Sequence, residues 1–389
     1  MFSARLPDRL TSNALTRAVA AHRAGNRPII DLTCTNPTDV GLPYPADVLR
    51  PLADHAGVRY RPEPRGRRET RVLVSRDYEA PGAVDPDAIV LTASTSEAYS
   101  WLFKLLCDPG TDVLVPQPSY PLFELLTRLD AVATRPYALD YHGRWTVDRE
   151  SLAGATGPQT RAVLVVSPNN PTGSWLSADD REWLVAHAAA HDLAIISDEV
   201  FADYPLSRRS DASSLVAESR VLTFTLGGLS KSAGLPQVKL GWIVVSGPQP
   251  EVDEALRRLD VISDSYLSVS TPVQVAAPRL FKAGRKIRRA IHERVRHNLD
   301  QLRQRAAGHP AVELREPEGG WSAVMRVPVS QPEEDLVIEL LERTDVLVHP
   351  GFFFDFPHEA FLVLSLLPDP AIFDEAVSRM LPVVDGTGA

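Results

Sequence analysis

Residues 161–201 read RAVLVVSPNNPTGSWLSADDREWLVAHAAAHDLAIISDEVF, and the reading of this stretch decides the fold class. Residues 161–167 form a near-continuous apolar run rich in valine, which predicts a strand buried on both faces. A turn follows, fixed by two prolines and a glycine. Residues 178–191 have the pattern of a helix, and residues 193–197 form a second apolar run that leads into Asp198. Strand, helix and strand joined by short loops make the unit of a parallel sheet covered by helices.

The same alternation extends in both directions. Further strands are expected at 88–92, 112–115, 220–225 and 240–246, with another helix at 96–107. After about Pro272 the pattern changes to a long Arg-rich helix near 278–306 and then to separate strands near 321–327, 346–348 and 361–366. The chain of 389 residues therefore divides into a segment at 1–45 that packs with the smaller part, a large α/β domain at 46–277 with a mostly parallel sheet, and a smaller α+β domain at 278–389.

Composition narrows the function. Hydrophobic residues make up 44% and charged residues 23%, as in ordinary globular chains. The net charge of −9 argues against a nucleic-acid binder, which needs a basic face. No apolar run is long enough to span a bilayer, and the N-terminus lacks the apolar core of a signal peptide. Cys34 and Cys107 stand alone, without metal-ligand spacing, and read as reduced thiols. A cytoplasmic location is expected.

Ligands of open α/β sheets bind beyond the carboxyl ends of the strands, and four segments stand there. Ser94-Thr95-Ser96 opens a helix, where hydroxyls, free backbone N–H groups and the helix dipole suit a phosphate; an ordinary N-cap is the rival reading. Ser167-Pro168-Asn169-Asn170-Pro171-Thr172-Gly173 has the form of a plain turn, except for its doubled asparagine. Asp198 ends a buried strand, so its charge needs a partner, and a protonated pyridine nitrogen is a suitable one; a helix-capping aspartate is the rival reading. Ser230-Lys231-Ser232-Ala233-Gly234-Leu235-Pro236 follows an apolar strand. The chain has only five lysines, and lysine, unlike arginine, loses its proton readily enough to form an imine.

Together with Asn36-Pro37, Tyr60…Gly66…Arg71 and Pro116-Gln117-Pro118-Ser119-Tyr120-Pro121, these segments resemble the class I/II aminotransferases of the aspartate/alanine type, within the fold-type I enzymes that use pyridoxal 5′-phosphate. The resemblance covers nearly the whole chain. It implies that Lys231 carries the cofactor as a Schiff base and moves the proton between the two carbons. Asp198 would pair with the ring nitrogen, Asn170 with the ring oxygen, and Tyr120 would stack on the ring. Ser94, Thr95, Ser96, Ser230 and Lys239 would hold the phosphate. Tyr60 would reach the phosphate of a second subunit, which implies a homodimer with shared sites. The reaction implied moves an amino group from an amino donor to a 2-oxo acid acceptor.

Four positions depart from the family pattern. Phe201 replaces a tyrosine, so one hydrogen bond to the ring oxygen is missing. Gly228 replaces a serine, and Lys239 replaces an arginine, giving charge without a bidentate fork. In Phe361-Leu362-Val363-Leu364-Ser365, Val363 stands where the family has the arginine that grips the substrate carboxylate. Either another arginine holds that carboxylate or the amino substrate binds differently. His349, just upstream, is a candidate substrate contact, and a structural histidine is the alternative. Phe201 and Val363 also leave room for a lyase, cyclase or oxidase on the same scaffold. A regulatory module that binds the cofactor would need a DNA-binding domain ahead of this fold, for which the N-terminus is too short.

Overall fold

The strand at Thr160–Val166 shows how the core is built. Ala162, Leu164 and Val166 enter a cluster with Ala98, Leu102, Val252 and Leu256, while Val163 and Val165 enter another with Leu184, Val185 and Ala188. Alternate side chains of one strand therefore serve two helix layers. In the computed structural model, which describes residues 2–7, 11–78, 84–207 and 212–386, this strand lies near the middle of an eight-stranded sheet.

In chain order the strands are β1 (Ile89–Thr92), β2 (Asp112–Gln117), β3 (Ala133–Tyr141), β4 (Trp145–Val147), β5 (Thr160–Val166), β6 (Ala194–Asp198), β7 (Thr223–Gly228) and β8 (Gly241–Ser246). Their spatial order is β1-β8-β7-β6-β5-β2-β3-β4. The five strands from β7 to β3 are parallel; β8 runs against both neighbours and β4 against β3. The sequence reading did not include β3 and β4. Their exposed Ala133, Arg135 and Pro136 interrupt the apolar pattern that marks the inner strands.

Thr271–Ala306 is a single helix of 36 residues. It starts seven residues before Pro278, so the domain boundary expected at 277/278 falls inside it. Pro278 lacks the N–H that would bond to the carbonyl of Gln274. The hydroxyl of Thr70, on the helix Arg68–Asp77, donates to that carbonyl instead at 3.0 Å.

Beyond this helix, Glu313–Arg315, Ser322–Arg326, Phe361–Ser365 and His349–Pro350 form a four-stranded antiparallel sheet in that spatial order. The N-terminal segment is tied to this part. Ile30–Asp31 pairs in parallel with Val346–Leu347, the Leu15 N–H donates to Glu334 at 3.2 Å, and His22 lies 3.0 Å from Asp345.

Candidate active site

Strand register brings the four sequence segments to one edge of the large sheet. Thr92 of β1 lies opposite Gly241 of β8, and Gly241 lies opposite Gly228 of β7. A methyl group on Gly241 would stand 3.0 Å from Thr92 Oγ1 and 3.2 Å from the carbonyl carbon of Ser94. Glycine is what lets the turns approach this closely. From this row Ser94, Thr95 and Ser96 run out of β1, Ser230 and Lys231 run out of β7, and Lys239 leads into β8. Next along, Asp198 of β6 lies between Val166 of β5 and Leu226 of β7, so Asn170 leaves the sheet at the same edge.

Asp198 is buried at this edge. Its carboxylate accepts from the Tyr99 hydroxyl at 2.7 Å and from the Val200 N–H at 3.1 Å. Burial raises its pKa, against the opposing pull of those two donors and of the Lys231 ammonium. Lys231 faces the same field with opposite sign: burial lowers its pKa from the ordinary lysine value to about 8, and Asp198 partly opposes this. The Lys231 nitrogen stands 5.0 Å from the centre of the Trp321 ring and 5.6 Å from that of Phe201. The two rings meet edge to face at 5.3 Å. The one-turn helix Leu229–Ser232 that carries Lys231 and the turn after it are braced from behind, since Tyr204 donates to the Lys231 carbonyl at 2.6 Å and Tyr44 to the Gly234 carbonyl at 2.5 Å.

The doubled asparagine divides two tasks. Asn169 is buried and fully engaged: it donates to the Pro118 carbonyl at 3.1 Å and to Thr172 at 2.9 Å, and accepts from Ser119 at 2.9 Å. It locks the turn to the segment before Tyr120. Asn170 is half-buried, and its side-chain oxygen accepts from Ser322 at 3.4 Å. That contact orients the amide, and its nitrogen has no partner among the described residues. Tyr120 is half-buried, and burial followed by the Asp198 charge raises its pKa.

Ser94 is the N-cap of the helix Thr95–Leu106, and its hydroxyl accepts from the Glu97 N–H at 3.2 Å. The capping reading therefore holds for Ser94. The hydroxyls of Thr95, Ser96 and Ser230 make no hydrogen bond among the described residues, and Lys239 makes no ion pair among them. Lys239 adopts a left-handed backbone, φ 57°. A non-glycine residue holds that conformation at a cost, and such sites cluster where ligands bind. Tyr60 stands apart from this group, 69% exposed, in a groove it shares with Trp101 and Ser268.

The small sheet supplies the opposite wall. Its register sets Arg315, Val324, Val363 and His349 in one row, on the face that also carries Ser322 to Asn170. Val363 is 2% exposed and clusters with Val324, Phe354, Phe356 and Trp145. Arg315 lies over the Tyr141 ring at 4.1 Å and pairs with Glu313 at 2.6 Å. His349 stacks on Phe353 at 4.9 Å, and burial lowers its pKa.

Tyr99, Trp321, Tyr204 and Ser322 were not found in the sequence. One signal for Tyr99 was available: it stands four residues after Thr95, on the inward face of the phosphate-type helix. Trp321 follows Gly319-Gly320, a pair that marks a close backbone approach.

Comparison with known proteins gives the family and the fold. The family model for aminotransferase class I and II matches residues 70–380. Alanine aminotransferase of Mycobacterium tuberculosis is 26% identical over 369 residues, which cover 90% of this chain and 84% of that protein. The glutamate-pyruvate aminotransferase AlaA of Escherichia coli is 24% identical over 386 residues, covering 96% and 94%. Among solved structures, alanine aminotransferase from Pyrococcus furiosus superimposes with a TM-score of 0.88 at 23% identity, covering 99% of this chain and 100% of that one. The fold is that of the fold-type I aminotransferases, and with most of its length matched by the family model, the chain belongs to the class I and II aminotransferases.

Proposed function

We propose that this aminotransferase works with pyridoxal 5′-phosphate bound at the sheet edge, and that Lys231 is the residue that carries it. The observation that supports this reading most is the Lys231 amine. It is half-buried beside Asp198 with its pKa lowered to about 8, so a neutral, nucleophilic form is within reach near neutral pH.

The residues fit the group. Asp198 offers a buried carboxylate to the ring nitrogen, the free Asn170 amide offers a donor to the ring oxygen, and Tyr120 offers a ring to stack. The hydroxyls of Thr95, Ser96 and Ser230 and the Lys239 ammonium offer a cradle for the phosphate at a helix N-terminus. Phe201 offers no hydroxyl to the ring oxygen. Bound there, the cofactor supplies the electron sink that makes the amino carbon acidic. Once the amino donor has displaced it from the cofactor, the Lys231 amine would take the proton from that carbon as a base and deliver it to the second of the two carbons as an acid. Trp321 and Phe201 keep water away from the amine.

The substrates proposed are an amino acid or related amine and a 2-oxo acid. The relatives named above make alanine, glutamate and pyruvate the first compounds to try. Val363 leads us to expect weak use of simple α-amino acids, with the donor held other than by a guanidinium at that position; His349 is the nearest polar side chain in its row. A homodimer in which Tyr60 completes the partner's phosphate site explains why that tyrosine is exposed in the single chain. A large domain at 46–277 and a smaller one at 278–389, with 1–45 packed on the latter, complete the proposal. A cytoplasmic location suits two free thiols and a chain in which no helix of the described residues is long and apolar enough to cross a membrane.

The test is reduction of the yellow protein with borohydride, followed by peptide mapping. Label on Lys231 is expected; label on Lys239 or Lys104 overturns the assignment.

A further inference from the structure

Asp198 faces a conflict that the sheet alone does not resolve. To keep a proton on the ring nitrogen it must stay anionic, yet it sits in a buried environment that favours its neutral form. Four ionisable groups surround it. Lys231 approaches from the short helix after β7, Tyr120 from the segment after β2, Glu199 from the next position in the chain, and Tyr99 from the helix Thr95–Leu106. The Glu199 carboxylate is engaged elsewhere, accepting from Ser197 at 2.9 Å, Ser214 at 2.7 Å and the Leu215 N–H at 2.9 Å.

Of the four, only Tyr99 is hydrogen-bonded to Asp198, at 2.7 Å, and both residues are buried. Its ring is fixed by Phe103 at 6.1 Å and by Phe123, edge to face, at 5.3 Å. The direction of donation is set. Burial and the adjacent Asp198 charge push the Tyr99 ionisation far up, so the phenol keeps its proton and the carboxylate accepts it.

We propose that Tyr99 is a positioning residue for the cofactor: its hydroxyl holds Asp198 as an oriented anion, and through Asp198 keeps the ring nitrogen protonated. The inference rests on the role proposed above for Asp198. A hydrogen bond to the charged form stabilises that form. Without it the shared proton moves from the ring nitrogen toward Asp198, and the ring becomes a weaker electron sink.

The experiment uses the cofactor-loaded protein and the pH midpoint of its visible absorbance. A protonated ring nitrogen lowers that midpoint, so Tyr99→Phe is expected to raise it, by on the order of one pH unit. Affinity of the apoprotein for pyridoxal phosphate should fall about tenfold, the equivalent of one lost charge-assisted hydrogen bond. In an Asp198→Asn background, adding Tyr99→Phe should change nothing further. 2,3-Difluorotyrosine at position 99 is nearly isosteric and a stronger donor, and it should move the midpoint down. It carries the test if Tyr99→Phe does not fold. A midpoint unmoved by either Tyr99 variant overturns the proposal. If Asp198→Asn itself leaves midpoint and affinity unchanged, the Asp198 role fails instead.

Discussion

The two walls of the candidate site handle polar groups in opposite ways. At the edge of the large sheet, Thr95, Ser96, Asn170 and Ser230 keep side-chain donors or acceptors free, and Lys231 and Asp198 sit where burial disturbs their charges. On the facing side of the small sheet, Val363 and Val324 are sealed in an apolar cluster, and Arg315 has bound itself to Glu313 and Tyr141. Free polar groups held on rigid strands are ready for a ligand. A sealed apolar wall selects by shape. One wall offers polar groups to a ligand, and the other offers an apolar surface at Val363 and Val324.

That contrast can be broken most directly at Lys231. Lys231→Ala should retain pyridoxal phosphate but lose turnover by on the order of 10⁴-fold; transamination by this variant, followed as loss of the cofactor absorbance with an amino donor, would remove the lysine from the proton path. Val363→Arg attacks the other wall. A guanidinium without a partner in that cluster should destabilise the protein by about 3–5 kcal/mol in chemical denaturation. A stable variant with a ten- to hundredfold gain in kcat/KM for alanine, glutamate or aspartate, roughly 1.5–3 kcal/mol, would mean that the pocket had merely lost its clamp.

Asp198→Ala should weaken cofactor retention and lower activity by about a hundredfold, as expected when a charged hydrogen-bond partner worth roughly 3 kcal/mol is removed. Activity within a few-fold of the parent would reduce Asp198 to a cap for the Val200 N–H. Phe201→Tyr should have the smallest effect. An added hydroxyl toward the ring oxygen stabilises its anionic form and should lower the absorbance midpoint, by about one pH unit or less. No shift, or an upward one, would place residue 201 away from that oxygen. A pH profile adds a measure of the charges on the large-sheet wall. Burial lowers the Lys231 pKa to about 8, and on the proposed reading the neutral amine is the form that would take up the cofactor. Reconstitution of the apoprotein should therefore speed up as pH rises toward about 8 and then level off. Asp198→Asn removes the charge that raises the Lys231 pKa, so the rise should move to lower pH.

What could be read in advance follows the same division. The inner strands β5, β6 and β7 are buried on both faces, so their apolar runs stand out, and the residues that leave them fall at a predictable edge. Edge strands β3 and β4 have no such pattern. The Tyr99–Asp198 bond joins residues 99 positions apart, and no local spacing announces it. The sequence made Val363 conspicuous as a departure, but only the strand register shows it on the face of the small sheet that carries Ser322, whose hydroxyl reaches Asn170. By residue type alone Asn169 and Asn170 are alike and only the resemblance separates them; their side-chain partners show Asn169 as the brace and Asn170 with an amide nitrogen unpartnered among the described residues.

Pro278 has a mechanical consequence. The helix Thr271–Ala306 is a rod of about 54 Å, at about 1.5 Å per residue, and it links the two sheets. Near its N-terminal end one rung of the ladder is replaced by a hydroxyl from another helix. Bending at that rung breaks one backbone bond fewer than bending elsewhere in the interior of the helix. Thr70 thus acts as a latch on the softest point of the lever, and if the two walls swing toward each other around a substrate, the long helix has a built-in place to flex.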